Sequence, residues 1–587
     1  MKKSIIILLC LCHSFSVAQT VKLKLIETSD VHGAIFPYNL TYDRQTNTSL
    51  ASVMTYLNEQ RADTSQHIIL LDNGDILQGD PVVYYYNFEK TDTVHLYADV
   101  MNYMNYDAAT IGNHDIETGH NVYDKFNDEL EFPWLAANAV KDENGLPYFI
   151  PYTILERGGI KIAVLGLITP AIPQWLPIKI WEGMHFEDMI ETARKWMPVI
   201  KKENPDLIIG LFHSGIDYTY NDQNAETYKN ENAALLVAEQ VEGFDVVFVG
   251  HDHEGWNFVT TNNTGEEVLI LGTQSGARTV AAADIILSFD PELQKWEKVS
   301  SSGEIIEVKN YKPDEKFIQK FSACFNEVSR YVSKPVGYFQ SPVSSSDALF
   351  GPSSFMHLIH TFQLEQTNAE ISFASPLSFN AVIERGQVYV RDLFKLYRYE
   401  NFLYTMILSG KEIDDYLEFS YSGWFNTMKD ENDHLLKFKL NESGELVYSE
   451  RSKTPELEQR YYNFSSAEGI IYTVDVSKNP GERVDIKSMS DGSDFSTEKK
   501  YKVAVNSYRG NGGGGHLTRG AGIDQETLQN RIISSTDKDI RFYMMKWIEQ
   551  NKSVNPQIQT NWKVIPYDWW LKGKIKDYKL LFAESQN

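Results

Sequence analysis

Short apolar runs recur through the first three hundred positions, and most break off at a small polar cluster. VKLKLIE from Val21, HIILLD from His67, AATIG from Ala108, IKIAVLGL from Ile160, DLIIGLF from Asp206, FDVVFVG from Phe244 and EVLILG from Glu267 have the length and residue types of strands. Between them, stretches with helical spacing, such as Val94 to Tyr106 and Asn232 to Val241, predict helices. Strands alternating with helices predict a layered α/β fold, in which ligands gather beyond the carboxyl ends of the strands.

KPDEKFIQKFSACFNEVSRYVSKPVG, from Lys312, reads as one amphipathic helix bounded by Pro313 and Pro335, after which an α/β pattern restarts. A chain of 587 residues also exceeds what one hydrophobic core usually serves. The expected organisation is therefore a first domain over 19–310, a linker helix over 311–335 and a smaller α/β domain over 336–587. No internal repeat or long low-complexity run interrupts it; the densest bias is the glycine stretch from Gly510 to Gly515.

The start of the chain, MKKSIIILLCLCHSFSVAQT, places Lys2 and Lys3 before an apolar run and small residues at Ser16 and Ala18. That is the pattern of a secretory signal peptide over 1–18, and its run is short of the roughly 20 residues a membrane span needs. The expectation is an exported protein, periplasmic or extracellular, with no membrane span in the mature chain. A lipoprotein start at Cys10 or Cys12 is the minor alternative. After cleavage only Cys324 would remain, which reads as a small buried hydrophobe rather than half of a disulfide.

Apolar residues at 42% and charged residues at 23% describe a folded chain, and a net charge of −25 excludes a nucleic acid duplex as partner. A small phosphorylated substrate is compatible with that charge if metal ions supply positive charge locally.

The polar clusters carry that chemistry: TSDVHG at 28–33, DNGD at 72–75, GNHD at 112–115, FHSG at 212–215 and GHDH at 250–253. Asp30, His32, Asp75, Asn113, His213, His251 and His253 are oxygen and imidazole donors, the types preferred by divalent Zn, Mn, Fe or Co. Taken singly, an Asp-x-His pair is a turn with a solvated carboxylate and His213 a core histidine. Five clusters in strand-to-loop settings point instead to a site for two metal ions and to phosphate ester hydrolysis.

In order and spacing the clusters resemble the motif set of the calcineurin-like metallophosphoesterases, in the branch containing 5'-nucleotidases and 2',3'-cyclic-nucleotide 2'-phosphodiesterase/3'-nucleotidases. The resemblance covers nearly the whole mature chain. It implies a four-layer α-β-β-α sandwich followed by a smaller substrate-binding domain. Asp30, His32 and His253 would hold one metal, Asn113, His213 and His251 the other, and Asp75 would bridge them. His114 matches the family's catalytic histidine, with Glu117 or Asp115 as the acid that orients it; the expected dyad is His114 with Glu117.

LYRYENFL, with Tyr399 and Asn401, and VNSYRGNGGGGHL, with Tyr508, Gly512 and Gly513, resemble the family's nucleoside pocket, in which two aromatics sandwich a base. SFASPLSFNAVIERG lacks an arginine where 5'-nucleotidases carry one, and Gly514 stands where they carry an acid. Both departures resemble the cyclic phosphodiesterase/3'-nucleotidase branch. The implied activity is hydrolysis of small nucleotides, 2',3'-cyclic nucleotide to 3'-nucleotide and then to nucleoside plus phosphate, for scavenging. The alternatives are a 5'-nucleotidase and, from another class, an inactive metal-binding or adhesive surface module.

Overall fold

The computed structural model describes residues 19–449 and 452–582. The expected signal peptide lies outside them. Two six-stranded sheets dominate the first half. One runs in the order Lys295–Glu307, Thr279–Asp290, Thr20–Thr28, His67–Asp72, Ala108–Thr110, Trp134–Leu135. The other runs Trp256–Thr261, Glu267–Gly272, Val246–Val249, Leu207–His213, Ile160–Ile168, Tyr152–Arg157. The central strands of both are parallel, and antiparallel strands close three of the four edges.

Strand alternation builds the layers. Leu23, Leu25, Ile69 and Leu71 of the first sheet interleave with Ile162, Val164, Ile209 and Leu211 of the second in one buried cluster. The opposite faces are covered by helices, Leu50–Ala62 and Leu96–Met104 on one side and Met189–Lys202 and Ala234–Gln240 on the other. The result is the four-layer α-β-β-α sandwich that the resemblance implies.

The predicted strands are present, with ends displaced by a residue or two. Helix 94–106 is shortened to Leu96–Met104 because the His95 side chain accepts the Tyr97 amide at 3.1 Å and caps its start. The long hairpin of Thr279–Asp290 and Lys295–Glu307 has no counterpart in the sequence reading. Its second strand is mostly exposed and polar, so it carries no buried stripe to flag it. Cys324 is half-buried, packed at the edge of the core. Among the described residues, no helix is long and apolar enough to cross a membrane.

Helix Glu315–Val332 starts where Asp314 accepts the Phe317 amide at 2.8 Å. It buries Phe317, Phe321, Val328 and Val332 in a cluster that also takes in Leu57 and Met101 on one side and Phe355, Leu393 and Met544 on the other. The later part of the chain has a five-stranded sheet, Ser466–Glu468, Ile371–Ala374, Lys500–Asn506, Leu403–Ser409, Ile532–Ser535, with helices Ser354–Thr367 and Gly410–Trp424 packed on it.

One buried cation ties the two halves together. Arg541 is 2% exposed; it donates to Glu400 Oε1 at 3.0 Å, the Tyr397 carbonyl at 3.0 Å and the Arg398 carbonyl at 2.7 Å. Its guanidinium lies 4.8 Å from the ring centroid of Tyr84, across from the first half. Burial pushes the Glu400 carboxyl up to about 7 even with this partner. Arg541→Met would strand that acid without a partner, and thermal denaturation should show a loss of roughly 3–5 kcal/mol. The double replacement Arg541→Met with Glu400→Leu should recover part of it.

Candidate active site

Because their strands are parallel, the five clusters emerge at one end of the sandwich. Asp30 and His32 follow Thr20–Thr28, Asp75 follows His67–Asp72, Asn113 follows Ala108–Thr110, His213 ends Leu207–His213, and His251 and His253 follow Val246–Val249. In extended chain, residues one apart face the same way only while the strand lasts. Here the chain turns instead: Asp30, His32, Asp75, His251 and His253 all adopt left-handed backbone, with φ of 51, 50, 57, 74 and 65°. Non-glycine residues enter that region at a cost of about 1–3 kcal/mol each, and such strain gathers at functional sites. Gly112 is required beside them, since a Cβ there would collide with the Asp75 carboxylate and amide.

The turns bring the donors together. Asp30, His32, Asp75 and His253 offer ligand atoms within 4.8 Å of one another, and so do Asp75, His213 and His251. Asp75 belongs to both groups. Asn113 Oδ1 lies 2.8 Å from His251 Nδ1 and 3.2 Å from His213 Nε2. His32 and His253 point Nε2 at each other, 3.1 Å apart.

The chemistry of this set fits two divalent cations. Asp75 Oδ2 is buried without a hydrogen-bond partner, its contact with His213 Nε2 at 3.2 Å lacking the geometry. The other nitrogens of three imidazoles are taken from behind: His32 Nδ1 by the Gln78 carbonyl at 2.9 Å, His213 Nδ1 by the Asn73 carbonyl at 2.5 Å, His251 Nε2 by Glu231 Oε1 at 3.2 Å. Such partners fix the tautomer and turn the free lone pair inward. Burial holds the His32 pKa down near 3, so its ring is neutral and able to ligate. Burial opposes charge on His213 too, yet Asp75 lifts it to about 10. The carboxylates thus demand positive charge at their centre.

His114 sits at the rim. Its amide donates to Asp75 Oδ1 at 2.8 Å and its Nδ1 meets Glu117 Oε2 at 2.5 Å, leaving Nε2 free. Burial works against its protonation, but Asp75 and Glu117 outweigh it and raise the pKa to about 9. Asp115, the other acidic neighbour in sequence, is a brace: it accepts the amides of Asp75, Ile76, Leu77 and Gly112 at 2.8–3.0 Å.

The cluster opens into a cavity of about 500 Å³ whose far wall comes from the second half of the chain. Tyr399, Asn401 and Tyr508 line it. The Tyr399 ring lies nearly parallel to His114, 11° between planes and 6.0 Å between centroids. Gly512 and Gly513 stay outside the lining. Gly513 acts from behind, since a Cβ there would come within 2.6 Å of the Tyr508 ring.

Sequence reasoning missed several lining residues. Glu231, Trp175, whose ring stacks 5.6 Å from His251, and Gln78 lie outside every motif. Arg398, Arg460 and Tyr462 also face the cavity. Arg398 falls inside the quoted segment LYRYENFL, where an arginine beside the aromatic was the signal to follow, whereas Arg460 and Tyr462 lie outside every quoted segment.

Residues 23–255 match the sequence profile of the calcineurin-like phosphoesterases, and residues 335–519 that of the 5'-nucleotidase C-terminal domain. A trifunctional nucleotide phosphoesterase of Bacillus subtilis is 26% identical over 94% of this chain, which spans 39% of that protein's length. A 2',3'-cyclic-nucleotide 2'-phosphodiesterase/3'-nucleotidase of Haemophilus influenzae is 23% identical over 93% of this chain and 88% of its own. The crystal structure of a Staphylococcus aureus 5'-nucleotidase candidate shares the fold, with a TM-score of 0.75 at 21% identity over 92% of this chain and 99% of its own. Phosphoesterase profile, donor cluster and second-domain profile agree, and the chain belongs to the calcineurin-like phosphoesterases that carry a 5'-nucleotidase C-terminal domain, hydrolases of phosphoric esters.

Proposed function

We propose that the protein hydrolyses small nucleotides, opening 2',3'-cyclic nucleotides to 3'-nucleotides and then releasing nucleoside and phosphate. One observation carries the reading: His32, Asp75, Asn113, His251 and His253, the His114–Glu117 pair and an aromatic wall share one cavity, with Asp30 and His213 buried behind it. Asp30, His32 and His253 would hold one divalent ion, Asn113, His213 and His251 a second, with Asp75 between them. Two such ions activate water near neutral pH and offset charge on the phosphoryl oxygens.

The chain's own groups do the rest. Glu117 holds the His114 ring by Nδ1, so Nε2 is free to donate to a phosphoryl oxygen or to protonate the leaving 2'-oxygen as its bond to phosphorus breaks. Tyr399 and Tyr508 offer apolar ring faces for the nucleoside, and stacking tolerates any base. Asn401, buried at the same wall, belongs to that pocket, and Gly512 and Gly513 shape the loop behind Tyr508. The segment 372–386 sends Ser375 and Leu377 to the cavity, whereas Arg385 is exposed and outside it. That supports the cyclic and 3'-nucleotide preference. The second reading, a 5'-nucleotidase, is favoured by the fold shared with proteins of that description.

Export through segment 1–18 and a scavenging role belong to the same proposal: nucleotides outside the cytoplasm would be cut to nucleosides. The inactive-module reading has the intact donor set against it.

The deciding experiment compares 2',3'-cyclic AMP, 3'-AMP and 5'-AMP as substrates. The first two should give the higher kcat/KM; a preference for 5'-AMP would move the assignment to the second reading. Chelation should abolish all three activities, and added divalent ion should restore them. His114→Ala should lower kcat by roughly 10²–10⁴-fold with little change in KM; a variant of wild-type turnover would remove His114 from the chemistry. Tyr399→Ala and Tyr508→Ala should each raise KM for nucleotides about tenfold while sparing a small aryl phosphate. Equal losses on both substrates would refute stacking.

A further inference from the structure

Two arginines on the second-domain wall of the cavity have no carboxylate partner. Arg398 and Arg460 both line it and both have exposed side chains. Among the described residues neither forms an ion pair, in a chain where 80 acidic residues outnumber 55 basic ones. Arg541 by contrast pairs with Glu400 and Arg531 with Glu412, each at 3.0 Å, and Arg509, which also lines the cavity, is spent on the Gly513 and Tyr462 carbonyls at 2.9 and 2.7 Å. Of the acids that line the cavity, Glu117 is engaged by His114, Glu231 by His251, Asp217 by the Thr219 hydroxyl and Asp252 by the Trp256 indole, and none of these or Glu254 forms an ion pair with either arginine.

Both guanidiniums are rooted among tyrosines. Arg398 lies 5.9 Å from the Tyr399 centroid, and its carbonyl is fixed by Arg541 at 2.7 Å and by Gln78 Nε2 at 3.2 Å. Arg460 donates to the Tyr462 hydroxyl at 3.0 Å and lies 5.9 Å from the Tyr220 centroid. Neither donates to any of the seven metal donors. The backbone is thus held while the charged head is left to the cavity. Guanidiniums so placed bind phosphate oxygens in pairs, with a geometry that lysine does not offer.

We propose that Arg398 and Arg460 form a second anion subsite, which takes a phosphate group on the nucleoside other than the one being hydrolysed. The preferred substrates would then include nucleosides phosphorylated at both ends of the ribose, such as 3',5'-bisphosphates. One phosphate meets the metal donors, the ribose and base lie along the tyrosines, and the other phosphate meets the arginines. This rests on the nucleotide reading above.

The test is competitive inhibition of aryl phosphate hydrolysis by adenosine 3',5'-bisphosphate, by 3'-AMP and by inorganic phosphate. Wild type should bind the bisphosphate at least about tenfold more tightly than 3'-AMP, the gain of one charge-assisted contact. R398A and R460A should each erase most of that ratio and leave the Ki of inorganic phosphate, which binds at the metal donors, in place. R398K should recover only part of it. A ratio near one in wild type, or a ratio unchanged in both variants, overturns the subsite while leaving nucleotide hydrolysis standing. If the bisphosphate inhibits in an arginine-dependent way but no nucleotide is turned over, the subsite stands and the nucleotide reading falls. A phosphate Ki that rises as much as the bisphosphate Ki also overturns the proposal, because the arginines would then be serving the scissile group.

Discussion

The Asp75 carboxylate is the constraint around which the site is arranged. It is 1% exposed, one oxygen has no hydrogen-bond partner, and it stands among other buried acids. A charge in such surroundings persists only if positive charge lies against it. The surrounding groups sort the acids by that rule. Burial pushes Glu27 well above its usual range and Asp72 to about 8, which favours their neutral forms, and both accept hydrogen bonds that hold the loops. Burial also opposes charge on Asp30, but His253 brings it to about 2, and the imidazoles around Asp75 hold it well below its ordinary value. The same residue type becomes scaffold or ligand according to whether a cationic group stands beside it.

Holding that arrangement requires turns the chain would not otherwise choose. Five donors in left-handed backbone tolerate their strain because parallel strands anchor each loop from below and Asp115 collects four amides from two loops. Rigidity of this kind keeps donor positions fixed when charge changes at the centre.

The second half of the chain reaches the site through a similar economy. Arg541 grips the carbonyls of Tyr397 and Arg398 and the Glu400 carboxylate, so the segment carrying Tyr399 is held at the metal end of the sandwich. The Asn511 side chain donates to the Trp175 carbonyl at 3.2 Å, while the Trp175 ring stacks on His251. Substrate wall and metal donors are thereby coupled through short, buried contacts rather than through the connecting helix alone.

Much of this was legible in the chain. Strand-length apolar runs ending in Asp, Asn and His predict a layered α/β fold and seven candidate donors, because alternating burial and donor chemistry are local properties, while the four-layer sandwich was implied by the family resemblance. The same holds for Tyr399, Asn401 and Tyr508, which sit in recognisable segments. Other features depend on residues far apart in sequence. Glu231 and Gln78 matter only because folding sets them behind His251 and His32; Glu117 rather than Asp115 meets His114 because Asp115 is spent on four amides. The exposed strand Lys295–Glu307 lacks an apolar stripe, so only its pairing against Thr279–Asp290 reveals it. Sequence by itself determined the layered α/β architecture and the candidate donors, and pointed to the tyrosines only through the family resemblance. Tertiary structure alone decided which acids are compensated by positive charge, which donors come together, and that Arg398 and Arg460 stand in the cavity without a carboxylate, since burial and charge compensation are set by neighbours distant along the chain.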